Sequence, residues 1–295
     1  MIHSSAENGL PICAQVSPRS ISLLLGLQGT LCPFTAHPTY QEIAAYPLDR
    51  KVAAMRDPVF RARLLAEEPD PGLARIARRV MAFERIFQLG DPPDYEPARE
   101  KSIASLARHQ GRPPAEIAYE MLLEDDGRAF LFAPFTNYAH FNLDVTREMM
   151  QHPDCVMGLG DGGAHVGLIS DASFCTYLLA HWGRDRARDR FDVGWLVKRQ
   201  TRDTAHAVGL LDRGIIAPGM KADLNVIDFD KLRVERPVMA FDLPAGGKRL
   251  LQRARGYTAT VVSGAIVYRE GEPTGALPGK LVRGPQAPPR TGVSW

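Results

Sequence analysis

The sequence predicts an α/β protein in which strands and helices alternate up to about residue 211 and short strands follow. The clearest alternation is a strand over residues 129–133, a helix over residues 144–150 and a strand over residues 155–159. Because a strand, a helix and a strand in succession usually form a parallel unit, this order predicts a parallel sheet or a barrel. With 295 residues, of which 45% are apolar, the chain is long enough for a full core or for two domains.

The first part, residues 1–211, is predicted to carry a long helical insertion over about residues 20–126. Ahead of the insertion, residues 6–9 indicate the end of a helix with a glycine cap, and residues 12–16 indicate a strand. Pro113 and Pro114 open a helix that continues through Leu123. Earlier in the insertion, apolar residues recur at spacings of three and four, as on one face of a helix: Leu73, Ile76, Val80, Phe83 and Phe87.

The second part, residues 212–295, is predicted to be a small antiparallel β unit. A last long helix over residues 193–208 precedes it. Residues 222–228 alternate between apolar and polar side chains, as a half-buried strand does. Residues 260–268 indicate two strands joined by a turn at Ser263 and Gly264.

Charge and cysteine content limit the possible partners and compartment. The chain has 36 basic and 34 acidic residues, a net charge of +2, and the two signs are interleaved, so neither nucleic acid nor an anionic membrane is an expected partner. No apolar run approaches the roughly 20 residues that span a bilayer. The scattered cysteines form no CxxC pair, and the first residues lack a secretion signal, so we expect a cytoplasmic protein with reduced thiols: Cys13, Cys32, Cys155 and Cys175.

An aspartate among glycines is the strongest candidate for chemistry. Residues 155–159 indicate a buried strand, and Asp161 follows that strand between Gly160 and Gly162. In a barrel of alternating strands and helices, catalytic side chains lie at the carboxyl ends of the strands. We therefore expect Asp161 to be catalytic. The alternative is that Asp161 only forms a turn in a glycine-rich loop.

Other polar residues near strand ends are candidate substrate contacts. His165 can hydrogen-bond a substrate carboxylate or orient Asp161, or it can simply cap the following helix. Asn137, Tyr138 and His140 come directly after the strand at 129–133 and would lie on the catalytic face of a barrel.

Three further features have simpler interpretations. Cys155 is expected to be a small buried core residue, not a metal ligand. Asp171 is expected to cap the helix that follows it. Residues 184–190, in which arginines and aspartates alternate, are expected to form a solvated helix end or loop.

Three segments follow one another in the chain: GLGDGGAH at residues 158–165, GIIAPGMKADLNVID at residues 214–228 and ATVVSG at residues 259–264. In this order they resemble the end of an amidohydrolase-superfamily enzyme, with the D-aminoacylase-like branch (N-acyl-D-amino-acid deacylases) as the closest. Residues 23–27, 33–34 and 56–58 resemble a segment that this branch inserts late in its barrel.

The resemblance implies a partial (β/α)8 TIM-type barrel, formed by its last strands, followed by part of a β-sandwich. It also implies a metal-dependent hydrolase of amide-type C–N bonds that acts on a small-molecule amide and uses one or two divalent metal ions, with zinc as the expected metal. Asp161 matches the acid at the end of the eighth strand, which lies at the metal. In the family this acid takes a proton from metal-bound water and passes it to the leaving nitrogen.

The metal ligands that the family places on earlier strands have no counterpart in this sequence. None of the eight histidines forms the His-x-His pair of the first barrel strand. We therefore expect a truncated or mis-started product, or a subunit completed by a missing amino-terminal half or by a homo-oligomer. A non-catalytic fragment or pseudoenzyme subunit, which binds a small molecule or a partner chain without any metal, is the alternative.

Overall fold

The computed structural model describes residues 2–10, 12–158, 160 and 163–289, which form a mixed α/β arrangement. The strands are β1 (Ala14–Val16), β2 (Ser22–Leu25), β3 (Phe87–Gln88), β4 (Leu131–Pro134), β5 (Cys155–Met157), β6 (Leu224–Ile227), β7 (Arg233–Val234), β8 (Val238–Leu243), β9 (Gly247–Leu251), β10 (Ala254–Arg255), β11 (Tyr257–Val262), β12 (Ala265–Arg269) and β13 (Glu272–Pro273). The helices are α1 (Ile2–Glu7), α2 (Pro38–Gln41), α3 (Leu48–Arg56), α4 (Pro58–Ala66), α5 (Ala74–Val80), α6 (Ile103–Gln110), α7 (Pro114–Gly127), α8 (Asp144–Gln151), α9 (Phe174–Ala180), α10 (Val193–Gln200) and α11 (Arg202–Ala207).

A parallel pair, β1 and β5, organises the part of the chain that contains the candidate site. Ala14 is opposite Cys155 and Val16 is opposite Met157, so both strands end at the same edge. Helix α8 packs against both strands, and α10 and α11 pack against β5. Cys155 is 6% exposed, which confirms its prediction as a core residue.

The strand predicted at 129–133 forms as β4, but its expected parallel partnership is wrong. It lies between β2 and β3 and runs antiparallel to both, with Phe132 opposite Leu24 and Phe87. All four β4 residues are buried. A continuously apolar strand fits the centre of a sheet in either direction, so its sequence pattern carries no information on direction. The parallel neighbour of β5 is instead β1, which lies far before it in sequence.

The expected helical insertion and barrel are confirmed only in part. Helices α2 to α6 lie within residues 20–126 and α7 ends at Gly127, but β2 and β3 also lie within that range. In the described ranges the sheets remain separate and no barrel closes. One apolar core lies among α3, α4, α6 and α7, and a second one lies around β1, β5, β4 and α9.

The helix predicted over residues 193–208 forms as two helices, α10 and α11. The break is at Thr201, whose backbone angles, φ −113° and ψ −76°, depart from ideal helical values. Its hydroxyl donates to the Val197 carbonyl at 2.7 Å, a local bond that competes with the helical pattern. No helix among the described residues is both long and apolar enough to cross a bilayer.

After residue 211 the strands pair in antiparallel fashion, as predicted. Strands β6, β11, β12 and β13 form one sheet, β8 pairs with β9, and β7 pairs with β10. Ser263 and Gly264 join β11 to β12 with φ values of 50° and 83°. Two consecutive residues with positive φ match the right-handed twist of a hairpin, and this explains the Ser-Gly sequence of the turn. The division of the chain at residue 211 stays a prediction.

Candidate active site at the carboxyl edge of the parallel pair

The carboxyl ends of β1 and β5 are held close together. Val16 ends β1, and its carbonyl accepts a hydrogen bond from the Gly158 amide at 3.0 Å, just after β5. A Cβ on Gly158 would lie 2.9 Å from the Gln15 side-chain oxygen and 3.3 Å from the Gln15 Cβ, so the segment passes close to β1 at this point. The carboxyl ends of the parallel strands therefore share one edge.

Residues 17–19, directly after β1, are fixed by one local hydrogen bond and by one from a distant tryptophan. The Ser17 hydroxyl donates to the Arg19 carbonyl at 2.6 Å. The Pro18 carbonyl accepts from the indole Nε1 of Trp182 at 2.7 Å. Trp182 is fully buried, so this edge is anchored in the core.

Asp161, the predicted catalytic residue and metal ligand, lies outside the described residues together with Leu159 and Gly162. Its described neighbour Gly160 is at the shared edge. A Cβ on Gly160 would lie 3.5 Å from the Asp171 carbonyl and 4.0 Å from Phe174. The role of Asp161 stays a prediction.

Asn137 is brought to the same edge, although by a different route from the one expected. It follows β4, and its side-chain amide donates to the Ser17 hydroxyl at 3.1 Å. Its backbone is left-handed, with φ 57°. The antiparallel β4 therefore places Asn137 beside the end of β1, where a polar side chain can contact a substrate.

Tyr138 is 2% exposed and lies in the interior. Its hydroxyl donates to the Pro97 carbonyl, and its ring makes edge contacts with Phe87 and Phe141. Burial raises the pKa of its hydroxyl well above the usual value, so the group stays protonated. This hydroxyl is directed to Pro97, while the adjacent Asn137 side chain is directed to the edge.

His165 is exposed and has a left-handed backbone, with φ 49°. Its carbonyl accepts hydrogen bonds from the Leu168 and Ile169 amides at 2.8 and 3.1 Å. The turn that it forms is tied to other elements, because the Val166 carbonyl accepts from the Leu250 amide of β9 at 2.7 Å. His140 is also exposed.

Asp171 does not cap α9, contrary to expectation. The residue in the cap position is Ser173, and the Asp171 carboxylate lies 3.7 Å from the Arg19 guanidinium. Both side chains are buried, at 5% and 1% exposure. A buried guanidinium requires a nearby negative charge, and this requirement explains why the carboxylate faces inward.

A second buried charge cluster was missed by the sequence analysis. Arg186 is 4% exposed, so the expectation that residues 184–190 are solvated is wrong at this position. It contacts Glu96 twice, at 2.9 and 3.0 Å, and Asp144 at 2.5 Å. His181 also contacts Glu96, at 2.7 Å. Nothing in the alternating pattern distinguishes Arg186 from its exposed neighbour Arg188.

The Glu96 carboxyl is held in its charged form. Burial alone would raise its pKa, but hydrogen bonds from His181 and Arg186 outweigh burial and hold the pKa at about 2. The Leu143 amide also donates to this carboxylate, at 2.8 Å, directly before α8. The cluster thereby ties the loop around Glu96 to α8 and to the π-helical turn His181–Asp185.

The described residues do not fit a divalent-metal centre. Across residues 2–10, 12–158, 160 and 163–289, no group of three or more histidine, cysteine, aspartate or glutamate side chains could hold a metal ion. Glu96 and His181 contact each other, and the Glu96 carboxylate also accepts hydrogen bonds from Arg186.

Comparison with solved structures finds D-aminoacylases. A crystal structure of D-aminoacylase, described as defining a novel subset of amidohydrolases, is 21% identical with a TM-score of 0.36. A D-aminoacylase mutant in complex with copper chloride is 20% identical with a TM-score of 0.35, and a D-aminoacylase described by its binuclear metal centre is 21% identical with a TM-score of 0.35. Each match covers 67% of this chain and 37% of the other. The chain thus spans little more than a third of the length of these proteins.

Comparison with curated proteins finds no significant match. The model of the amidohydrolase family matches residues 2–268, which include the parallel pair, the candidate edge and most of the antiparallel strands. A match over this much of the chain establishes its family. This chain belongs to the amidohydrolase family.

Proposed function

We propose that this chain forms part of a hydrolase that cleaves amide-type C–N bonds of N-acyl amino acids. The observation that carries the proposal is the family match over residues 2–268, which includes Asp161. The edge where β1 and β5 end supports it, since catalytic groups of α/β barrels lie at the carboxyl ends of strands. The chain covers 37% of the D-aminoacylases that it resembles, so we propose that it acts together with an amino-terminal barrel half or with a second copy.

In this proposal Asp161 moves the proton. Its carboxylate accepts a proton from the attacking water as the new C–O bond forms at the amide carbon. The resulting carboxylic acid gives that proton to the nitrogen as the C–N bond breaks, and the products are a carboxylic acid and an amine. A single carboxylate can serve both steps because it is regenerated at the end.

Asn137 and His165 are proposed to contact the substrate. Asn137 lies beside Ser17 at the edge and offers an amide that can hydrogen-bond an acyl oxygen. His165 is exposed on a turn only four residues after Asp161 and can bind a substrate carboxylate. Tyr138 was also predicted to contact the substrate, but it is 2% exposed and its hydroxyl donates to the Pro97 carbonyl, so the proposal gives it no substrate contact.

A divalent metal, zinc in the first place, is proposed only for the completed enzyme. The described residues do not form a metal centre, so its ligands would come mainly from the other barrel half. When bound, such an ion supplies Lewis-acid activation of water and of the amide carbonyl. A metal-free chain that binds an N-acyl amino acid without hydrolysing it is the alternative.

The test is hydrolysis of a panel of N-acyl-D- and N-acyl-L-amino acids, with metal content measured in the same samples. The chain is assayed alone and mixed with the amino-terminal barrel half of an amidohydrolase-family protein, in the presence of zinc. We expect Asp161→Asn to lower kcat by about 10²–10⁴-fold where turnover occurs. Asp189→Asn is the control, because Asp189 is an exposed aspartate outside the candidate edge.

Two results would contradict the proposal. Turnover that survives Asp161→Asn would remove the assigned proton carrier. Absence of turnover under every condition, with saturable binding of an N-acyl amino acid, would favour the non-catalytic alternative.

A further inference from the structure

We propose that a cavity beside helix α3 binds a small zwitterion, with free α-amino acids that carry an apolar side chain as the ligand class. The cavity has a volume of about 550 Å³, which is within the range of small-molecule sites. Its lining combines charged side chains from α3 and from the end of α7 with apolar side chains from α3. Binding here does not depend on the hydrolase activity proposed above.

The cavity lies at the opposite end of β4 from Asn137. Leu25 ends β2 and is opposite Leu131, which begins β4. Gln28 follows the first strand and Arg128 precedes the second, so both lining residues lie at this end. Asn137 follows the other end of β4, at the candidate edge. The length of β4 therefore separates the cavity from that edge.

Two oppositely charged groups in the lining have no ionic partner in the part of the chain that the structure describes. The Asp49 carboxylate is exposed and makes no hydrogen bond or ion pair with a described residue. The Arg128 guanidinium makes a single long hydrogen bond, at 3.3 Å, to the Asp125 carbonyl. The other two charged lining residues, Arg56 and Asp126, pair with each other at 2.8 Å. One free charge of each sign favours a ligand that carries both an ammonium group and a carboxylate.

The rest of the lining suits the uncharged part of such a ligand. Val52 is buried, and Leu48 and Ala53 lie beside it on α3 and also line the cavity. The Gln28 side-chain amide has no hydrogen-bond partner among the described residues, and it can donate to a carboxylate or accept from an ammonium group. An aliphatic side chain would cover the apolar surface while the charged end of the ligand pairs with the polar groups.

The loop that carries Gln28 is fixed by two lysines. Lys51 is 6% exposed, and its ammonium group donates to the Leu27 carbonyl at 3.0 Å. Lys248 donates to the carbonyls of Gln28 and Gly29 at 2.9 and 2.7 Å. The loop cannot shift without breaking these hydrogen bonds, so its shape is set before a ligand binds.

Another part of the wall is a strained turn at the end of α7. Asp125 and Asp126 both have φ 49° and ψ 44°, left-handed backbone that residues other than glycine rarely adopt. Gly127 follows with φ 78°, and a Cβ there would lie only 2.5 Å from an apolar side chain of the cavity lining. Ion pairs with Arg56 and Arg236 hold the two aspartates. Backbone strain that the surroundings enforce in this way is typical of ligand-binding walls.

The test is isothermal titration calorimetry of the full chain with leucine, as both enantiomers. Isocaproate lacks the ammonium group of leucine, and isopentylamine lacks its carboxylate. We expect at least one enantiomer of leucine to bind saturably at one site. Both analogues should bind at least about ten-fold more weakly, because each loses one charge-assisted contact.

Single substitutions then locate the binding. Asp49→Asn and Arg128→Met each remove one free charge from an exposed side chain, so both variants should fold, and each should weaken leucine binding by at least about ten-fold. Arg50→Met is the matched arginine control, because Arg50 is exposed on the same helix and lies over the Tyr46 ring. Asp230→Asn is the aspartate control, at an exposed position outside the cavity. Both controls should leave the affinity unchanged.

Several results would overturn the inference. One is the absence of saturable binding of leucine up to about 10 mM. Another is equal affinity for leucine and either analogue, and a third is unchanged affinity in both Asp49→Asn and Arg128→Met. Loss of leucine binding in Asn137→Ala alone would place the amino acid at the candidate edge and would also overturn it. Binding is measured without turnover, so a failed hydrolysis assay changes none of these outcomes.

Discussion

Two arginine–carboxylate pairs with almost the same geometry lie in very different surroundings. Arg186 contacts Glu96 through two nitrogens at 2.9 and 3.0 Å, in the part of the chain that contains the candidate edge. Arg249 contacts Asp242 through two nitrogens at 2.7 and 2.8 Å, on the β8–β9 hairpin. The exposed fractions are 3% and 14% for the first pair, and 40% and 46% for the second.

Contact geometry alone therefore does not measure what an ion pair contributes to the free energy of unfolding. In the exposed pair, water solvates both charges before and after the contact forms, so little free energy depends on it. In the buried pair, each charge has given up its water and depends on the other. Replacing the arginine by methionine is therefore expected to lower the free energy of unfolding strongly in the buried pair and hardly at all in the exposed pair.

The largest expected effect is on the buried pair. We expect Arg186→Met to lower the free energy of unfolding by about 3–5 kcal/mol, because Glu96 is left as a buried charge without its main partner. Urea denaturation followed by circular dichroism measures the change. A loss below about 1 kcal/mol would show that water reaches Glu96 and that the two regions do not differ.

The burial of Arg186 could not be predicted from its local sequence. Residues 184–190 alternate in sign, and such a pattern is typical of solvated surface. The contact that buries Arg186 is with Glu96, which is 90 residues away in sequence. Local spacing carries no information about a partner at that distance, so the exposed Arg188 and the buried Arg186 look alike.

The fold was predictable to the extent that local signals determined it. The glycine cap at Gly9 has φ 75°, α7 begins at Pro114, and the Ser263–Gly264 turn joins its two strands as expected. The direction of β4 was not predictable, because an entirely buried strand has no polar face to orient it. The site was predictable only as residue types near strand ends: Asn137 reaches that edge, while Arg19 was not recognised because a lone arginine after a strand has no distinctive pattern.

The second expected effect is a pH dependence that belongs to the buried pair. The pKa of Glu96 is lowered from an ordinary value near 4.5 to about 2, with His181, Arg186 and Asp144 as the charged neighbours of the cluster. A depressed folded-state pKa stabilises the protein above the unfolded-state pKa. That stability, of the order of 3 kcal/mol, is lost as the pH falls from about 4.5 towards 2.

The measurement is the urea midpoint between pH 7 and pH 3, for the unchanged chain and for Glu96→Gln. We expect the acid-side loss to shrink in Glu96→Gln, since that side chain no longer titrates. Asp242→Asn, on the exposed pair, should leave the loss as it is. An acid-side slope that is the same in Glu96→Gln would assign it to other carboxyl groups.

The smallest expected effect is on the exposed pair, which has the same contact geometry as the buried pair and so serves as its control. Arg249→Met removes both contacts to Asp242, yet we expect the urea midpoint to stay within measurement error, because both side chains remain in contact with water. Raising the salt concentration should likewise change little in either protein, since screening acts on a contact that already contributes little. Met keeps an unbranched apolar stem, so a clear loss in Arg249→Met would mean that the exposed ion pair itself contributes to stability and that exposure does not separate the two pairs.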